Sequence, residues 1–85
     1  MNVKDILKAQ FLEVVNNQIQ NNDPAETALT LERLKKEGYS DEAARLLIAQ
    51  CVAAEFVEVV KANQAFNAQR YIDNLHRLPE APPEG

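Results

Sequence analysis

Few side chains in this sequence stand where they could do chemistry, and His76 is the first to weigh. It is the single histidine, with Asp73 one turn before it and Glu80 one turn after, a spacing that gathers an imidazole and two carboxylates on one helix face. Pro79 interrupts the helix before Glu80 arrives, so the expectation is a solvated His76 beside Asp73 rather than an acid–base pair. Zinc sites draw three or four ligands from His, Cys and carboxylates, and here the one Cys lies 25 positions from the one His. No metal or cofactor is expected.

Cys51 has Leu47, Val52, Ala54 and Glu55 around it, an apolar and acidic setting that raises a thiol pKa and leaves it inert. Glu55 and Glu58 stand one turn apart, as in helical carboxylate metal sites, but those sites add a histidine at i+3 and repeat on partner helices. Nothing here repeats. Arg45 projects from an otherwise apolar face and is the one charge out of place. It either snorkels to solvent or pairs with a carboxylate of its own or another chain. Both glycines stand alone, so there is no phosphate loop, and no Ser, His, Asp spacing suggests a nucleophile. The reading is of a chain that is not an enzyme.

The elements that would position these residues are helices. Hydrophobic residues make up 46% of the 85 positions and charged residues 26%, too apolar for disorder, and the helix formers Ala, Leu, Glu, Gln and Lys dominate. One domain is all that this length supports. The net charge is −4, with Glu80 and Glu84 in a Pro-rich tail and the basic residues scattered, which disfavours nucleic acid. A lone cysteine, and a start that runs from Met1 straight into a charged amphipathic pattern, give the expectation of a cytoplasmic setting with no signal peptide.

Val3, Leu7, Phe11, Val14 and Val15 recur at helical spacing and predict helix one over about 3–19. Asp23-Pro24-Ala25-Glu26 predicts an N-cap, an N1 proline and a capping box opening helix two at 24, buried through Ala28, Leu31 and Leu34, paired on its surface through Glu32 and Lys36, and closed by Gly38 after 37. Ser40 caps helix three, about 41–62, with Tyr39 placed to staple onto Ala44. Its broad large-residue face comprises Leu46, Ile48, Ala49, Val52, Ala53, Phe56, Val59 and Val60. Ala43, Leu47, Cys51 and Ala54 continue round the back, so this long helix is expected to be buried on more than one side. Charges at Arg45, Glu55 and Glu58 exclude a membrane span. Asn67 caps helix four, about 68–78, with a stripe of Ala68, Tyr71, Ile72, Leu75 and Leu78 and a Phe66–Tyr71 staple; Pro79 ends it. The fold class is therefore all-α: a compact four-helix domain over 1–78 with a disordered Pro-rich tail at 79–85.

The stretch Glu37-Gly38-Tyr39-Ser40-Asp41-Glu42-Ala43 resembles the loop and helix start of ubiquitin-associated-like domains, which use short helices. A longer resemblance spans most of 22–79: Asn22-Asp23-Pro24-x-Glu26-Thr27, Leu31-x-x-Leu34-x-x-x-Gly38-Tyr39-Ser40, an apolar helix, Phe66-Asn67, Arg70-Tyr71 and Leu78-Pro79. In this it resembles a group of small bacterial helical proteins of unknown function. The resemblance implies a bacterial, cytosolic origin and brings no catalytic residues. A helix-turn-helix reading fails because helix three, the would-be recognition helix, is the most apolar element.

Function is then expected to lie in what covers helix three. One reading is a non-enzymatic protein interaction or homo-oligomeric module, whose candidate contacts are Ile6, Leu29, Ala43, Arg45, Leu47, Cys51 and Ala54; a self-sufficient monomer stays open beside a homodimer. The alternative is a small-ligand-binding or enzyme-accessory domain with a pocket between helices three and four near Arg45, Tyr71 or His76.

Overall fold

The computed structural model describes residues 3–82, which form four helices: α1 (Val3–Asn21), α2 (Ala25–Lys36), α3 (Asp41–Ala62) and α4 (Ala68–Arg77). α1 outlasts the expected stop by two residues and then ends decisively. Asn22 takes the left-handed conformation at φ 53°, its N–H bonds the Ile19 carbonyl, and the Asp23 N–H bonds that of Gln18 at 3.0 Å, the two bonds of a Schellman motif. α2 ends in the same way. Gly38 sits at φ 107° with its N–H on Lys35, and the Tyr39 N–H bonds the Leu34 carbonyl.

The capping box at the start of α2 does not form. Asp23 is already committed to closing α1, so extended Pro24 becomes the N-cap, the helix begins one residue later at Ala25, and no side chain caps it. Its buried face is also rotated from the expected one: Thr27 and Thr30 join Leu31 and Leu34 inside, while Ala28 is only half-buried. On the surface Arg33 pairs with Glu37 at 2.7 Å. The other two caps form as read. The Ser40 hydroxyl accepts from the Ala43 N–H at 3.1 Å, and the Asn67 carbonyl oxygen accepts from the Arg70 N–H at 2.9 Å. Phe66 meets Tyr71 with ring centroids 5.5 Å apart.

α3 touches each of the other helices, α2 touches all of them as well, and the backbones of α1 and α4 stay apart. The core is Val15, Leu31, Leu34, Ala44, Ile48, Ala49, Cys51, Val52, Tyr71, Leu75 and Leu78. α3 is the long, buried helix that its composition demands, but its inner side is partly the small-residue one. Ala44 and Cys51 are fully buried, whereas Phe56 and Val60 of the large-residue face are exposed. Small side chains let neighbouring axes approach closely, so the crossings settle where Ala44, Ala49 and Cys51 are and the bulk is turned outward. In α4, Asn74 is buried although the expected stripe omitted it, and Ala68 lies at the surface.

A polar cluster lies at the core. Gln18 Oε1 accepts from the Thr27 hydroxyl at 2.8 Å and from the Tyr71 hydroxyl at 2.7 Å, tying α1, α2 and α4 together. Residues 79–82 carry no helix, although the Glu80 N–H still bonds the Arg77 carbonyl. The rest of the expected disordered tail, 83–85, lies outside the described residues, as do Met1 and Asn2.

Candidate functional site

Two places remain once the core is accounted for: a groove between α3 and α4, and an apolar ridge on α1 and α3. The groove is built on Glu55. This carboxylate is 1% exposed, yet it sits on the α3 face that α4 covers, because the loop 63–67 returns the chain with Arg70 directly opposite. Arg70 Nε donates to Glu55 Oε2 at 2.6 Å, Arg70 Nη2 donates to Oε1 at 3.1 Å, and the Asn67 N–H donates to Oε1 at 3.1 Å. The two-pronged bond holds the guanidinium proton more tightly than usual, with Glu58 adding to the effect through space. Beside this pair lies an open groove of about 350 Å³ lined by Ala54, Glu55, Glu58, Arg70, Asp73, Asn74 and Arg77. It lies between α3 and α4, and Arg45, Tyr71 and His76 are not among its walls.

The ridge surrounds a second aromatic contact. Phe11 and Phe56 meet edge to face, 5.6 Å between centroids. Val3, Leu7, Phe11 and Val14 recur at i, i+4, i+8 and i+11 on α1, and Phe56 and Val60 at i and i+4 on α3, so two apolar rows converge on that contact. Val3 is 70% exposed, Val60 65% and Phe56 48%, with Ile6, Leu7, Val14 and Val57 also exposed.

The sequence candidates scatter across these places. Ile6 flanks the ridge. Leu29 is exposed on α2 by itself, Ala43 and Leu47 are half-buried along another side of α3, and Ala54 lines the groove. Cys51 faces the core of its own chain, fully buried, and burial pushes its thiol up to about 12. Arg45 finds its carboxylate one turn back at Asp41, 2.7 Å away, and also donates to the Asn16 side chain of α1; the hydrogen bond from Arg45 holds the Asp41 carboxyl below its usual range. His76 is exposed, and Asp73 accepts from Gln69 instead. Among the described residues no three His, Cys, Asp or Glu side chains are grouped to hold a metal ion, and no helix is long and apolar enough to cross a membrane.

Sequence reading missed Arg70 and Asn74. Arg70 was legible as the first basic residue after the turn, in reach of whatever carboxylate α3 buried; Asn74, on the inner side of α4 between Tyr71 and Leu75 or Leu78, was the one polar residue at a stripe position. No protein-family model, curated protein or solved structure matches the chain.

Proposed function

We propose that the chain is a non-enzymatic interaction module that pairs with a second copy of itself through the α1–α3 ridge. The observation that carries this is the pair of exposed apolar rows meeting at Phe11 and Phe56. A protein of this size hides such residues unless something covers them, and the exposed part of the ridge amounts to roughly 500–600 Å², at the upper end for an ordinary monomer. Its middle holds only aliphatic and aromatic side chains, so it complements itself, and its edges carry both signs through Asp5, Lys8, Glu13, Glu58 and Lys61. Two copies of the α1–α3 pair brought together about a two-fold axis make a four-helix layer. Because the patch is smaller than the ~800 Å² per partner of a standard interface, the dimer is reversible and micromolar or weaker.

Sedimentation velocity across micromolar to submillimolar concentrations tests this. The native chain is expected to shift reversibly from monomer to dimer. Val60→Glu and Val3→Glu, both at well-exposed positions, hold it monomeric with an unchanged circular dichroism spectrum. A native chain that stays monomeric throughout refutes the proposal.

A further inference from the structure

We draw no further inference here: the strongest candidate, the open groove between α3 and α4, has its buried carboxylate Glu55 already paired with Arg70 and otherwise only partly or fully exposed charges, with nothing among the described residues that points to a ligand.

Discussion

Arg70 and Arg45 each hold a carboxylate, and the surroundings of the two carboxylates make the pairs unequal. Glu55 is almost fully buried, so removing Arg70 leaves a charge with only the Asn67 N–H to compensate it. Asp41 is half in water and loses little. Arg70→Ala is expected to lower the urea midpoint clearly more than Arg45→Ala, because only the first leaves a buried carboxylate without its cation. Urea denaturation of the two variants measures the contrast, and equal losses would show that burial of Glu55 does not matter. Cys51 and Tyr71 are read out by alkali. Burial raises both to about 12 in the folded chain, from ordinary values of 9.0 and 10.0. The folded state therefore keeps these protons longer than the unfolded one. Stability is intact below about pH 9 and falls as the pH climbs toward 12, by up to about 1.4 kcal/mol per pH unit for each group. Urea midpoints at rising pH follow the decline, and Tyr71→Phe should remove the part that begins near pH 10. The inertness of Cys51 was legible from its neighbours. The Glu55–Arg70 pair was not, since its members are separated by a helix end and a loop whose path only the tertiary fold decides.

Among the elements, the ends of helices carried the clearest sequence signals. Gly38, Ser40, Asn67 and Pro79 each stop or start a helix where their chemistry predicts. Asp23 misled because two helices needed the same few residues, and the Schellman closure of α1 around Asn22 took precedence over a capping box for α2. Interior faces were harder to read. Thr27 and Thr30 go inside because Gln18 and Tyr71 supply partners for Thr27 and because α2 is contacted by three helices, and neither fact is local. The outward turn of Phe56 and Val60 has the same origin: periodicity shows that a helix is apolar all round and says nothing of which side its neighbours choose. At Gly38 the prediction is sharp. A methyl group there would meet nothing within 4 Å, so Gly38→Ala suffers only the left-handed backbone, about 1–2 kcal/mol. Thermal unfolding of the variant measures it, and a neutral result would mean that the turn has rearranged.

For the whole molecule, length and composition were enough to anticipate one all-α domain, and a Cα radius of gyration of 12.3 Å agrees with about 12 Å for a globular chain of this size. The rows that make the ridge and the walls of the groove escaped the sequence, since each is made by the approach of two helices rather than by a motif on one. The first turns of α1 have a further consequence. Val3 and Asp5 through Gln10 are all exposed, and the helix joins the core only from Phe11 onward. In the monomer, the amide protons of about residues 7–10 are held by helical hydrogen bonds without core packing, and those of the first turn have no acceptor within the helix. They should trade with deuterium by local fraying, whereas those around Val15 to Ile19 wait for the whole domain to open. Deuterium uptake followed residue by residue along α1 would show this gradient in dilute protein, and its steepness would fall as the concentration rises if a second copy settles on the ridge. The same helix thus reports two equilibria, the opening of the fold at one end and the meeting of two chains at the other.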